Sequence, residues 1–213
     1  MWSIRMSAAA WMLVLASPAG AAPTPLKVDQ DASSIVATTA TAGALGSTFG
    51  HAHAVLATQW SAQITYDPEN VPDSSVEISV PTSSLRIDTP EAGQAAEMEI
   101  KRDAESQQKL QKKMLSSRFL DAAEHPSLTF KSTSVSGGRN GTLEVTGDIS
   151  IHGVSKEITV PMKVTRMGEG QYRFSGSFEV LQSAFGFSPE SVAGVVKVAD
   201  PVTVHLVMVA RAG

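Results

Sequence analysis

The sequence contains no cysteine among its 213 residues. This absence excludes disulfide bonds, thiolate metal sites, a cysteine nucleophile and a lipidated N-terminal cysteine. No Gly-X-Ser-X-Gly motif occurs either, so serine hydrolase chemistry has no support. Cations are not in excess, because 17 Lys and Arg residues face 21 Asp and Glu residues, for a formal net charge of −4. Since phosphate neutralisation requires clustered excess cations, we expect no nucleic-acid partner.

The apolar run near the N-terminus is too short for a membrane span. It covers residues 8–16, whereas a spanning helix needs about 20 residues. The run follows Arg5 and precedes the small-residue pattern Ala19-Gly20-Ala21, which is typical of a secretory signal peptide. We therefore predict a cleaved signal peptide at residues 1–21, a single domain at residues 22–213, and export to the periplasm.

The rest of the chain is dominated by alternating apolar and polar residues, the pattern of strands with one buried face. In residues 143–151, for example, Leu143, Val145, Ile149 and Ile151 alternate with mainly polar residues. Short connections that contain glycine, such as GGRNG at 137–141, are typical of antiparallel neighbours. About eight such strands are present, and closure into a barrel would remove their exposed edges. The sequence predicts an all-β, eight-stranded antiparallel barrel.

Residues 89–119 interrupt this alternation. They are rich in Ala, Glu, Gln and Lys, and Pro90 suits a first helical turn. Ile100, Leu110 and Met114 fall on one helical stripe. We predict one amphipathic helix, inserted between strands four and five, that caps the barrel or packs on its side.

The predicted inner face of the barrel carries no Asp, Glu, Lys or His before Arg166. Acid–base catalysis needs titratable groups in the pocket, so we expect no enzyme and no cofactor of its own. An eight-stranded barrel can be filled by side chains or can hold one elongated ligand. Small inner residues such as Gly147 and Gly176 favour a cavity, and an apolar lining favours a hydrocarbon chain. The residues predicted to line it are Leu56, Trp60, Ile64, Phe130, Ile149, Phe174, Phe178, Phe185 and Phe187.

Two histidines, His51 and His53, stand one residue apart before a strand. Unbroken alternation would turn them outward with Gln59, whereas a bulge near Gly50 would turn them inward. Three roles stay open: a structural role at the rim, hydrogen bonds to a ligand head group, and metal or haem ligation. No third ligand at a recognisable spacing accompanies them, so no metal site is predicted.

Basic residues are concentrated in the predicted helix. One of them, Arg102, is a candidate head-group contact, together with His51 and His53. A solvated polar face is one interpretation of the cluster, and transient contact with an anionic membrane surface is the other. The cluster consists of Lys101, Arg102, Lys109, Lys112, Lys113 and Arg118.

Four stretches together resemble the YceI-like family of polyisoprenoid-binding proteins: ITYDPEN at 64–70, HPSLTFKSTSV at 125–135, VTGDISIHGVSKEITVPMKV at 145–164 and SAFGF at 183–187. Their order and spacing extend the resemblance over residues 26–211. It implies a lipocalin-like barrel in the periplasm that carries an isoprenoid or quinone-type lipid. One departure from the family pattern is the absence of the histidine in Arg-Asp-X-His-Leu, where this chain has only Arg102-Asp103.

The resulting prediction is a periplasmic binding or carrier protein that sequesters a long apolar chain inside the barrel. Two alternatives belong to other classes. One is a metal-linked or haem-linked redox accessory protein centred on His51 and His53. The other is a ligand-free, stress-related interaction module with a filled barrel.

Overall fold

The computed structural model describes residues 23–42, 52–137, 140–187, 191–192 and 196–213. The predicted signal peptide and His51 lie outside these residues. Eleven strands occur in the described part of the chain. They are β1 (Thr24–Ala42), β2 (His53–Ala57), β3 (Ser61–Tyr66), β4 (Ser75–Pro81), β5 (Leu85–Ile87), β6 (Ser127–Gly137), β7 (Thr142–Ile151), β8 (Val154–Gly168), β9 (Gln171–Leu181), β10 (Ser191–Val192) and β11 (Val196–Ala212).

Eight of these strands form a closed antiparallel barrel, which confirms the predicted fold class. Their order around the barrel is β11-β9-β8-β7-β6-β4-β3-β1, and β1 then pairs with β11 to close it. Strand β7 shows why the sequence folds this way. Leu143, Val145, Ile149 and Ile151 are buried, while Glu144 and Asp148 between them are exposed. Each strand thus hides one apolar face inside the barrel.

Two walls of the barrel are each interrupted by a short irregular segment, one between β2 and β3 and the other between β4 and β5. The long strand β1 pairs with β3 through its first residues and with β2 further on. Likewise, β4 pairs with β3 and β5 pairs with β2. The irregular residues between these segments are joined, because both the amide and the hydroxyl of Thr58 donate to the carbonyl of Ser84, at 3.2 and 2.7 Å. The two breaks therefore form one structural unit.

The break between β2 and β3 reverses the face on which side chains point. In β2 the odd-numbered His53, Val55 and Ala57 face the interior, whereas in β3 the even-numbered Ile64 and Tyr66 do so. Side chains in a regular strand alternate with a period of two. Because inward residues are odd-numbered before the break and even-numbered after it, the break shifts the alternation by one residue. His53 therefore faces inward because of the break that follows β2.

Two helices replace the single predicted helix. They are α1 (Pro90–Ala95) and α2 (Ala104–Leu115). Helix α1 ends where Glu97 adopts a left-handed conformation, with φ 54°, and Asp103 caps α2 by accepting from the amide of Ser106 at 2.9 Å. The helices follow β5 rather than the predicted fourth strand, because the two breaks divide the chain before them into more strands than expected. No helix among the described residues has the length and apolar character needed to cross a membrane.

Candidate functional site: the barrel cavity

The barrel interior holds a cavity of about 390 Å³, within the range of about 300–1,000 Å³ that is usual for small-molecule sites. All eight strands of the closed barrel contribute to its wall, together with β2, β5 and α2. Most of the lining side chains are aliphatic or aromatic. The interior is therefore not filled by its own side chains.

Seven of the nine residues predicted to line the cavity do so. Leu56 and Trp60 are corrections. Leu56 points away from the interior, because the parity of β2 is opposite to the predicted one, and Trp60 lies in the break and packs against the core beside it. The seven that line the cavity are Ile64, Phe130, Ile149, Phe174, Phe178, Phe185 and Phe187.

The small residues of the inner face do not create the cavity, contrary to the prediction. A Cβ atom on Gly147 would stand 2.8 Å from Cζ of Phe130, and one on Gly176 would stand 2.5 Å from Sδ of Met162. Neighbouring side chains therefore already occupy the space above both glycines. Each glycine permits close approach of its neighbours.

Three aromatic rings pack together at one end of the barrel, which we call the aromatic end. The ring of Tyr66 meets Tyr172 edge to face at 5.0 Å between centroids, and meets Phe174 in the same way at 5.4 Å. Such pairs add stability beyond the area that they bury. Burial, with the Tyr172 phenol and Asp67 as smaller causes, raises the pKa of Tyr66. The packed rings thus occupy part of this end of the interior.

The opposite end, which we call the polar end, carries the basic and amide side chains of the wall, whereas small hydroxyl residues such as Ser75 line the cavity near Tyr66. Thr39 of β1, His53 of β2 and Lys113 of α2 line the cavity here, and so does Gln182, which follows β9. The expectation that no Lys or His faces the interior is thus corrected by His53 and Lys113. Reversed parity explains His53, and the docking of α2 explains Lys113. The cavity is therefore amphipathic along its length.

A buried carboxylate, Asp88, organises the polar end. Its side chain is 1% exposed and accepts three hydrogen bonds. Nδ1 of His53 donates to Oδ2 at 2.8 Å, Nε of Arg102 donates to the same oxygen at 2.9 Å, and the amide of Ala54 donates to Oδ1 at 3.0 Å. A buried charge is tolerated when it is paired and hydrogen-bonded in this way.

Burial by itself raises the pKa of Asp88, since it penalises the charged form. The hydrogen bonds from His53 and Ala54, the charge that His53 carries when its ring is protonated, and the charge of Arg102 outweigh that effect and hold the pKa of Asp88 below its ordinary value. The carboxylate is accordingly charged at neutral pH. Its backbone has φ 51°, a left-handed conformation in which aspartate is enriched, and its amide donates to the carbonyl of Ala54 at 2.8 Å.

The structure brings two of the three predicted head-group residues together. His53 and Arg102 meet on Asp88, and His51 lies outside the described residues. Asp88 was not predicted, because its partners are 35 and 14 positions away in the sequence and no local pattern connects them. The tripeptide Asp88-Thr89-Pro90 reads only as a turn before a helix.

Helix α2 closes the side of the barrel next to β5. Strand β5 pairs with β2 along one edge, and glutamine side chains of α2 bond its other edge. Gln107 donates to the carbonyl of Ile87 at 2.9 Å, and Gln111 donates to that of Leu85 at 2.8 Å. No residue of α2 is fully buried, so these bonds are a main part of its attachment.

Two further histidines support the wall at the polar end. The rings of His125 and His152 meet edge to face at 4.6 Å, and His152 packs on Phe187 at 4.9 Å. Phe187 in turn lines the cavity. Among the described residues, no three His, Asp or Glu side chains are grouped so that they could hold one metal ion.

The comparison with known families agrees with this architecture. The family model of the YceI-like domain matches residues 26–210, which include every strand of the closed barrel except the ends of β1 and β11. The chain belongs to the YceI-like family. The predicted resemblance is thereby confirmed.

Sequence relatives of this YceI-like chain include two UPF0312 proteins. One, from Vibrio parahaemolyticus, is 35% identical over 109 residues, which are 51% of this chain and 48% of the relative. The other, from Shewanella denitrificans, is 34% identical over 135 residues, which are 60% of each chain. The matched segments thus span only about half to three-fifths of these relatives.

Solved structures show the same YceI-like fold at lower identity. BcnA of Burkholderia cenocepacia has a TM-score of 0.65 at 20% identity, over 86% of this chain and 99% of its own. A polyisoprenoid binding domain from Saccharophagus degradans, implicated in plant cell wall breakdown, has a TM-score of 0.59 at 10% identity, over 90% of this chain and 99% of its own. These likenesses establish the fold of the barrel.

Proposed function

We propose that this YceI-like protein is a periplasmic carrier that holds one long apolar chain, such as a polyisoprenoid or a quinone-type lipid, inside the barrel. The observation that carries the proposal is the apolar cavity of about 390 Å³. Burial of apolar surface contributes about 25 cal/mol per Å², so a hydrocarbon chain gains most from such a wall. The polyisoprenoid-binding description of the Saccharophagus degradans neighbour supports the same ligand class.

Binding without catalysis is the role that this site supports best. The basic side chains that line the cavity, His53 and Lys113, lie at one end. The carboxylate beside His53, that of Asp88, has its oxygens occupied by His53, Arg102 and Ala54. An acid–base enzyme would need a titratable pair that faces the reacting atoms. The rest of the wall offers apolar contact, which retains a chain but does not activate it.

We further propose that the polar end makes transient contact with an anionic membrane surface during loading. Lys112 and Lys113 lie in the last turn of α2, beside the polar end of the cavity. Lys101 and Lys109 of the same cluster pair with Glu99 and Glu105, at 2.9 and 2.6 Å. Each basic residue near an anionic surface contributes about 1 kcal/mol.

Mass spectrometry of a solvent extract tests the carrier proposal directly. Protein purified without detergent from its native host is extracted, and the extract is compared with that of protein stripped with solvent and refolded. A stoichiometric lipid with a long apolar chain in the first sample is expected, together with rebinding of that lipid by the second. A clean extract, and no rebinding of any long-chain probe, would remove the proposal.

Vesicle transfer tests the membrane contact. Replacement of Lys109 and Lys112, exposed residues of α2 that do not line the cavity, with Gln is expected to slow transfer from vesicles that contain phosphatidylglycerol, and to leave transfer from neutral vesicles unchanged. The double replacement of Lys27 and Lys163, exposed residues at the aromatic end, changes the charge equally and serves as the control. Equal rates for both variants would rule out contact through α2.

A further inference from the structure

Asp88 determines which nitrogen of the His53 ring carries a hydrogen. The carboxylate is charged and accepts hydrogen bonds only, so Nδ1 of His53, 2.8 Å from Oδ2, must be a donor. A carboxylate beside one ring nitrogen fixes the tautomer and the orientation of the ring in this way. The second nitrogen, Nε2, remains available to accept a hydrogen bond from another group.

The His53 side chain is held at the wall of the cavity. His53 lines the cavity, and its side chain is 18% exposed. Its backbone amide donates to Oγ1 of Thr39 at 3.1 Å, which fixes the start of β2. Within the described residues, Asp88 is the one hydrogen-bond partner of the ring. The polar end thus presents an oriented acceptor to an otherwise apolar chamber.

Charge balance at this site favours an uncharged head group. Arg102 contacts the carboxylate through Nε at 2.9 Å and offsets the negative charge of Asp88. A neutral imidazole accepts at Nε2, and phosphate oxygens are acceptors too, which makes that pairing unfavourable. A hydroxyl group donates and matches the ring.

We propose that Nε2 of His53 accepts a hydrogen bond from the hydroxyl head of the bound chain, and that the ligand class is a long-chain alcohol or hydroquinone. The inference rests on the proposed carrier function and adds the chemistry of the head group to it. Arg102 is then a positioning residue, since it holds Asp88 and does not itself contact the head. This differs from the sequence prediction, in which Arg102 contacted the head group directly.

Displacement of a fluorescent apolar probe measures the effect. Three ligands are each tested for displacement of the probe: geranylgeraniol, the hydrocarbon of the same chain, and geranylgeranyl phosphate. The measurements are made at about pH 8, where an ordinary imidazole is neutral. His53→Phe is expected to weaken binding of the alcohol about fivefold, the equivalent of one hydrogen bond, and to leave the hydrocarbon unaffected. Val55→Ala, at the next inward position of β2, is the matched control and should weaken all three ligands alike.

Nitrogen NMR of the wild-type imidazole gives a second readout that needs no variant. Addition of the alcohol is expected to shift the Nε2 resonance of His53, whereas the hydrocarbon should leave it in place. The head-group assignment would be overturned, while the carrier function stands, if His53→Phe lost equal affinity for the alcohol and for the hydrocarbon. A shift of the Nε2 resonance with both ligands would have the same consequence. Preferred binding of the phosphate would also overturn it. Failure of all three ligands to bind the wild type would instead remove the carrier function itself.

Discussion

Gln111 pairs with Ile87 as a neighbouring strand would. The side-chain Oε1 of Gln111 accepts from the amide of Ile87 at 3.0 Å, while its Nε2 donates to the carbonyl of Leu85 at 2.8 Å. One side-chain amide thus reproduces the donor and acceptor of a peptide group at the outer edge of β5. A helix can therefore complete the wall of a barrel where no strand is available, and the edge that it covers is protected from pairing with another chain.

Loss of this contact should loosen α2. Gln111→Ala leaves the amide of Ile87 and the carbonyl of Leu85 without their partner, and we expect a loss of about 1–3 kcal/mol in the free energy of unfolding. Ligand exchange should also accelerate, because α2 lines the cavity. Urea unfolding and probe dissociation measure the two effects. Gln108→Ala changes an exposed glutamine of the same helix and should affect neither quantity.

Reduction of the cavity should weaken ligand binding without unfolding the barrel. Val204 lines the cavity, so Val204→Phe places a larger apolar side chain in the empty volume. We expect the free energy of unfolding to rise by about 0.5–2 kcal/mol, and the affinity for a long-chain probe to fall by about tenfold or more. The exposed neighbour gives the control, since His205→Phe adds an aromatic ring outside the barrel. Unchanged binding by Val204→Phe would place the ligand elsewhere.

Asp88 should make the fold sensitive to acid. Its pKa in the folded protein lies below the ordinary value of 3.8, so its stabilising effect is complete above that value and is lost as the pH falls through it towards the folded pKa. Asn tolerates the left-handed backbone of residue 88, and Asp88→Asn therefore removes mainly the charge. We expect a cost of about 3 kcal/mol at neutral pH.

Unfolding free energies measured between about pH 2 and pH 7 check this expectation. The difference between the wild type and Asp88→Asn should shrink as the pH falls below the ordinary value of 3.8 towards the folded pKa. The exposed carboxyl groups whose pKa values are also lowered, Glu91, Asp103 and Asp200, are present in both proteins and cancel. Asp148→Asn, at an exposed position, is the matched control. A difference that does not change with pH would contradict the assigned role of the charge.

Gly147 should not tolerate a side chain. A Cβ atom there would lie 2.7 Å from Cα of Ser132 and 2.8 Å from the ring of Phe130, so the paired strands β6 and β7 would have to separate. We expect Gly147→Ala to lower the free energy of unfolding by about 1–3 kcal/mol, as overpacking does. Thermal unfolding measures the change, with Glu144→Ala on the exposed face of β7 as the reference. Stability equal to that of the wild type would mean that the strands can move apart freely.

The barrel was predictable because its causes are local. Alternation in β7 and the glycine-containing turns act over a few residues, and together they determine strands, their order and the inner face. The breaks at residues 58–60 and 82–84 were not predictable in this way. They depend on the bond between Thr58 and Ser84, residues that are 26 positions apart, and a shift of one residue there moves Leu56 out and His53 in.

The polar end was harder to predict than the wall for the same reason. His53 and Arg102 could be selected as candidates from their residue types, but their common partner Asp88 emerges only after β2, β5 and the segment before α2 are assembled. The division of the predicted helix has a similar origin. Ile100 and Met98 fold back over Gly93, where a Cβ atom would lie 2.7 Å from the Ile100 side chain, and this turn brings Arg102 to the carboxylate.

The rings of Tyr66, Tyr172 and Phe174 pack together at one end of the barrel, whereas His53 and Lys113 line the cavity at the other. The two ends are therefore chemically distinct, and a guest of the proposed kind would have one preferred orientation. Its head would lie beside His53 and its tail beside the aromatic rings.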